Sequence, residues 1–229
     1  MKTLEVLFED NHFLIVNKPA GVLVQKDKEG NESNLEEIAK NYLKEKYKKE
    51  GNVYLGIPHR IDRPTSGVII FCKTSKALER INEMFQRREI NKIYWAIVKG
   101  NPEIEHDNLI HYLKRNEKQN KTYVYEKETT NAQRAELNYS VISKSDNYSL
   151  LEVEIITGRH HQIRAQLSHI GLPIKGDLKY GFNRSNRDGS ISLHARAVSF
   201  VHPVTKEKIE VKAPMKNDSL WNALIDAIL

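Results

Sequence analysis

The chain is poor in several things that other proteins use. Cys72 is the single cysteine among 229 residues, so neither an intrachain disulfide framework nor a cysteine-based zinc site can be built. It sits in the apolar run VIIFC (68–72) and reads as a small core residue. No stretch approaches the roughly 18 apolar residues that span a bilayer. The opening LEVLFED (4–10) brings in acids after five apolar-rich positions, unlike a secretion signal. A cytoplasmic protein with no membrane partner is expected. GxGxxG and GxxxxGK(S/T) are both missing, which argues against dinucleotide and ATP sites; a missing GxSxG weakens a hydrolase triad. HExxH is missing too. His160 and His161 are adjacent, and His169, His194 and His202 follow. Adjacent residues on a helix do not face together, so no metal is expected. No internal repeat, linker or low-complexity tail is visible.

What is present is a basic, globular composition. The formal charge is +6, which modestly favours a polyanionic partner. Hydrophobic residues make up 39% and charged residues 29%, a balance that suits a packed core rather than disorder. The length fits one catalytic-size domain over residues 1–229 with room for two lobes.

Periodicity supplies the elements. LEVLF (4–8) and FLIVN (13–17) read as strands split by the turn EDNH, and KPAG (18–21) ends the second. QKDKEGNES (25–33) reads as a polar loop. Asn34 opens a helix with Glu37 at the capping-box spacing and Gly51 as its stop. VIIFC reads as a buried strand, and Ser75 as the cap of a second helix. KIYWAIVKG (92–100) alternates, with Ile93, Trp95 and Ile97 on one face and Tyr94, Ala96 and Val98 on the other. Residues 101–130 read as hairpins and exposed loops. AELNYSVIS (135–143), SLLEVEIIT (149–157), ISLHARAVSF (191–200) and KIEVKA (208–213) read as strands. HHQIRAQLSHI (160–170) has helical spacing, and Asp218 caps a last helix. Strands in runs with few helices between them predict an α+β fold, with a central mixed, mostly antiparallel sheet.

The residues with chemical potential begin in PHRIDRPTSG (58–67), where Asp62 stands between Arg60 and Arg63. An acid among arginines is ordinarily a surface ion pair. Here the loop empties into a buried strand, Pro64 stiffens it and Gly67 permits a tight turn. A carboxylate close to a guanidinium is held ionised, which suits a nucleophile or base better than a proton donor. Arg164, on the helix after TGR, is a candidate partner. Arg159, where a strand passes into that helix, is placed for a phosphate. Tyr94 is a core tyrosine or an aromatic platform for a base.

Read together, these segments resemble the RluA-type RNA pseudouridine synthase family, in order and over most of the chain. NKPAGVLVQ resembles its first motif and HRIDRPTSGVIIFCKTSKA its catalytic motif, HRLDxxTSG. KIYWAIVKG is similar to its KxYxA strand. TGRHHQIRAQLSHIGLPIKGDLKYG is similar to TGRxHQ(I/L)R and the GDxxYG loop, and SLHARAVSFVHP to its LxHA strand. Ile61 stands where leucine is usual and His160 where threonine or serine is common. The resemblance implies isomerisation of uridine in RNA to pseudouridine, in a pseudouridine synthase catalytic fold with an RNA-binding cleft and no cofactor. Asp62 is then the catalytic aspartate, by attack at C1′ or as a base at C2′. Arg164 pairs with it, and Tyr94 stacks on the uracil. Arg60 fills the gap left by the flipped base, and Leu193 packs against it. By the same resemblance the substrate is expected to be rRNA or tRNA and the protein a monomer. With its first strand at Leu4, the chain is expected to be a catalytic domain without an S4-type RNA-binding domain. The rivals are a glycosidic-bond hydrolase, for which Asp177 is the only nearby second carboxylate, and a non-catalytic RNA-binding factor.

Overall fold

A computed structural model describes residues 4–26 and 34–228. Most of the loop expected over 25–33 lies outside the described residues. In chain order the elements are β1 (Glu5–Glu9), β2 (Phe13–Lys18), α1 (Leu35–Lys46), β3 (Ser66–Cys72), α2 (Ser75–Gln86), β4 (Asn91–Lys99), β5 (His106–Asn116) and β6 (Lys121–Tyr125). There follow β7 (Gln133–Lys144), β8 (Tyr148–Ile155), α3 (Gln162–His169), a 3-10 turn (Leu178–Tyr180), β9 (Leu193–Val201), β10 (Lys208–Lys212) and α4 (Ser219–Asp226). Contacts divide the chain into two compact units. The first is Met1–Ile90 with Ala195–Pro214, and the second is Asn91–His194 with Met215–Leu229.

In the first unit β2 pairs antiparallel with β1 and β3, and β10 pairs antiparallel with β9. Both long neighbours in this sheet are apolar on two sides: residues 13–16 and 68–72 are buried throughout, which is why FLIV and VIIFC read as continuous runs rather than alternating ones. Ala77, Ile81 and Met84 of α2 close one face over Phe13, Ile15, Ile70 and Phe200. Cys72 is part of this core, and burial pushes its thiol up to about 12, so it packs as a hydrophobe. Gly67 is not a turn residue. It lies inside β3 at φ +116°, and a Cβ there would sit 2.3 Å from the Ala195 carbonyl oxygen; two backbones meet where only glycine fits.

Helix ends follow local chemistry more than composition. Asn34 accepts from the Glu37 amide at 3.1 Å, as its spacing suggests. The glutamate's half of the box goes instead to Lys26, 2.7 Å away. The helix stops at Tyr47 rather than Gly51, because Lys48 already takes φ +48°. Thr74, not Ser75, caps α2 by accepting from the Ala77 amide at 3.1 Å.

The second unit orders its strands β4-β8-β7-β5-β6, with every pair antiparallel. The polar segment 101–130 thus becomes a long hairpin, β5 and β6, joined to the unit through β7. Ile97, Leu150, Trp221 and Leu224 form a core beneath α4. That helix is capped by Asp218, whose Oδ1 accepts from the Leu220 and Trp221 amides. The α3 helix starts two residues later than its periodicity suggests, because His161 takes a left-handed φ of +52°. Among the described residues no helix is long and apolar enough to cross a membrane.

Candidate active site

In the first unit the Asp62 loop is tied to β3 at both ends. Upstream, Gly56 exchanges two backbone hydrogen bonds with Cys72, at 2.8 and 2.9 Å, and the Ile70 amide donates to His59 Nε2 at 2.9 Å. Downstream, the Thr65 amide donates to the Asp62 carbonyl at 3.1 Å, closing a tight turn just before β3 begins. Asp62 is half-buried, and Arg60 is exposed. Arg63, to which composition assigns no task, is a staple. Its Nε donates to the Gly21 carbonyl at 3.1 Å, and its own carbonyl accepts from the Gly21 amide at 2.7 Å.

Beneath this loop lies a residue that the sequence did not single out. Lys18, the last residue of β2, is fully buried. Its Nζ donates to the carbonyls of Val22 at 2.7 Å, Pro19 at 3.0 Å and Arg63 at 3.2 Å, one acceptor for each N–H of an ammonium. Burial pulls its pKa down to about 7. The Asp62 carboxylate acts in the opposite direction, and the Arg63 guanidinium pushes it further down. The KPAG turn and the DRPTSG loop are thus one electrostatic and hydrogen-bonded body.

In the second unit Arg164 occupies α3 and is buried. Its Nε and Nη2 donate to the two oxygens of Asp177 at 2.6 and 2.8 Å. This is the fork-on-carboxylate geometry that fixes a guanidinium's plane as well as its place. The guanidinium carbon lies 5.0 Å from the centre of the Tyr180 ring. The Tyr180 hydroxyl accepts from the Thr122 amide at 2.8 Å and lies 2.9 Å from His161 Nδ1. Burial, followed by Arg164 and nearby cations, pulls His161 down to about 2, so it is neutral in water. Thr122 belongs to β6, and its hydroxyl also reaches His160. The hairpin therefore buttresses the arginine. The GDxxYG resemblance marks Asp177 and Tyr180 in the sequence; their contact with Arg164 depends on the turn after α3.

Tyr94 and Leu193 are buried in the second unit, with Tyr94 opposite Val153 of β8. Arg159 is exposed, its Nε donating to the Arg134 carbonyl at 3.1 Å. Its amide is taken by Gln162 Oε1 at 3.0 Å, so it leads into α3 through a side-chain-closed turn. Of the predicted residues, Asp62 and Arg60 thus lie in the first unit, and Tyr94, Arg159, Arg164 and Leu193 in the second.

Two His-carboxylate groups have ligand atoms within 4.8 Å of one another, Asp10-His12-His202 and His111-Glu126-His169. In the first, His202 Nδ1 accepts from the Val204 and Thr205 amides, which places the ring proton on Nε2, facing Asp10 Oδ2 at 3.0 Å. In the second, Gln166 Nε2 donates to both the Leu109 carbonyl and His111 Nδ1. The His111 proton is again on Nε2, towards Glu126. Neither nitrogen has a lone pair to give a cation.

Against known proteins, residues 12–169 match the family described as RNA pseudouridylate synthase. The tRNA pseudouridine synthase C of Vibrio parahaemolyticus is 30% identical, over 96% of this chain and 93% of that one. The ribosomal large subunit pseudouridine synthase C of Buchnera aphidicola is 33% identical, over 92% of this chain and 66% of that one. Among solved structures, human RNA pseudouridylate synthase domain containing 4 is similar with a TM-score of 0.79 at 22% identity, covering 98% of this chain and 92% of that one. The fold is the α+β fold of these enzymes, and the chain belongs to the RNA pseudouridine synthase family, isomerases that convert uridine in RNA to pseudouridine.

Proposed function

We infer that this chain acts on uridines of tRNA or large-subunit ribosomal RNA, with Asp62 as the reacting carboxylate and both units serving one catalytic domain. The N1–C1′ bond breaks, the uracil turns, and C5 bonds to C1′. C5 then loses its proton and N1 gains one, so the atoms balance without a co-reactant. Arg164 pairs with Asp62 and aims its carboxylate, and Tyr94 stacks on the uracil beside Leu193. Arg60 stands in for the flipped base, whose extrusion costs a few kcal/mol, and Arg159 meets a phosphate.

The observation that carries this reading is the state of Asp177. A glycosidic-bond hydrolase ordinarily needs a second carboxylate as acid or base. Asp177 is 1% exposed, and both its oxygens are occupied by Arg164. That leaves Asp62 to do the chemistry alone, as an isomerisation allows. The test is to incubate the protein with unmodified tRNA and rRNA transcripts and to separate the digested nucleosides. Pseudouridine without free uracil is expected. Free uracil would favour the hydrolase, and unchanged uridine in both pools would remove the substrate assignment.

A further inference from the structure

The tip of the β5–β6 hairpin carries charge that the proposed reaction leaves unused. Between Lys114 and Tyr125 the only acid is Glu117, against the cations Lys114, Arg115, Lys118 and Lys121. Arg115 is exposed and, among the described residues, makes no hydrogen bond or ion pair. Lys121 has rings rather than a carboxylate beside its Nζ, with the centroid of Tyr123 at 5.8 Å and that of Tyr180 at 5.6 Å. Lysines elsewhere in this unit find acids: Lys144 pairs with Glu105 and Lys216 with Asp188, each at 2.5 Å. The two cations at the tip keep their charge for a partner outside the fold.

A hairpin tip is ordinarily among the more mobile parts of a fold. This one is fastened to the groups that hold Arg164. Asn120, at φ +45°, accepts from Lys179 Nζ at its carbonyl at 2.9 Å, and its side-chain oxygen lies 3.1 Å from His160 Nε2. Two residues on, the Thr122 amide donates to the Tyr180 hydroxyl. The Tyr180 ring is the one that the Arg164 guanidinium lies against, so Lys121 and Arg164 share a ring. Burial comes first in keeping His161 neutral, and the charges that add to it are all basic: Arg164, His160, Lys179 and Arg115. Arg115 and Arg164 thus converge on one buried histidine.

Strand register puts this surface on the side of the sheet that Tyr94 faces. Tyr94 stands opposite Val153, Val153 opposite Tyr139, and Tyr139 opposite Asp107. Residues opposite one another share a face, and every second residue along a strand returns to it. The face of Tyr94 therefore runs along β5 from Asp107 through His111 to Arg115. The helix that carries Arg164 packs there, with Gln166 Nε2 donating to His111 Nδ1. Arg115 in turn stands opposite Thr122, whose hydroxyl meets His160. Lys121 opens β6 on the other face, but its Nζ lies over the Tyr180 ring, which brings its charge round to the side of Arg164. Lys114 alternates to the face of Trp95 and Ile97. We propose that Arg115 and Lys121 bind neighbouring phosphates of the RNA strand flanking the target uridine, the pinned tip holding them at a fixed distance from Arg164. The placement rests on Arg164 and Tyr94 marking the base site.

The test compares the wild type with three double variants. Arg115→Gln/Lys121→Gln removes both charges, Arg115→Lys/Lys121→Arg keeps them, and Lys99→Gln/Lys114→Gln removes two from the opposite face of the same sheet. Binding of an oligouridylate roughly twelve nucleotides long is titrated against salt; for single strands each lost phosphate contact lowers the slope by about 0.7. The Arg115/Lys121 glutamine pair is expected to lower it by about 1.4, and the other two pairs to leave it unchanged. On transcripts that the wild type modifies, the same glutamine pair raises KM by about tenfold or more with kcat nearly unchanged, because phosphate contacts position without entering the chemistry. An unaltered slope, equal losses from the two glutamine pairs, or a loss that the charge-keeping pair does not restore overturns the proposal. The binding arm reads out even if no transcript is modified, so failure of the substrate reading and failure of the hairpin tip are distinguishable.

Discussion

The acid and the cation assigned to catalysis are secured in different ways. Around Asp62 the fastenings are main-chain groups: three carbonyls on Lys18, the Gly21 carbonyl on Arg63, and an amide on His59. Around Arg164 they are chiefly side chains, with Asp177 holding its plane and Tyr180 its face. A loop that must present one carboxylate needs a rigid backbone. A guanidinium at the end of a long flexible side chain needs a mate of matching geometry, because side-chain entropy is what must be overcome.

The contrast can be broken most forcefully on the arginine's side. Asp177→Ala strands a buried guanidinium and should cost about 3–5 kcal/mol of stability, with kcat falling as Arg164 loses its orientation. Asp177→Asn should recover part of both, as denaturant melts and single-turnover assays would show; a fully active, fully stable alanine variant would mean that Arg164 is held by something else.

On the acid's side the effect depends on pH. Lys18 has a folded pKa of about 7 against an ordinary 10.5, so between those values the unfolded chain binds more protons and stability rises with pH. Below 7 both states are charged and the slope vanishes. Relative to Lys18→Met, the wild type should gain about 2–3 kcal/mol between pH 7 and 9.5, measured by denaturation at the two values. Parallel curves would mean that the Lys18 pKa is not depressed in the folded state. The smallest effect belongs to Tyr180→Phe, which deprives the buried Thr122 amide of its acceptor. It should cost about 1–2 kcal/mol, and hydrogen exchange should speed locally at Thr122 in β6.

Much of this was legible in the sequence because it is local. Apolar runs named β2 and β3, alternation named β4, and the caps Asn34 and Asp218 stand where their spacing puts them. The HRIDRPTSG and TGRHHQIR segments pointed to Asp62 and Arg164. What stayed hidden is tertiary. Nothing in the sequence marks Lys18 as buried: its own turn supplies the Pro19 and Val22 carbonyls, and the third acceptor, the Arg63 carbonyl, comes from a loop 45 residues away. Arg63 and Gly21 lie 42 residues apart. Thr122 and Tyr180 lie 58 apart, so nothing in the polar segment 101–130 announces that it supports an arginine on α3. The late start of α3 hinges on the left-handed His161, a conformation uncommon enough outside glycine that helical spacing alone does not announce it.

The central claim is that Asp62 alone carries the covalent or proton-transfer step. The most direct measurement is tritium release from RNA bearing uridine labelled at C5, with the wild type and Asp62→Asn, alongside RNA binding by both. The account predicts that release falls by about a thousandfold or more in the variant, while binding is retained. Release at a rate close to that of the wild type would contradict it.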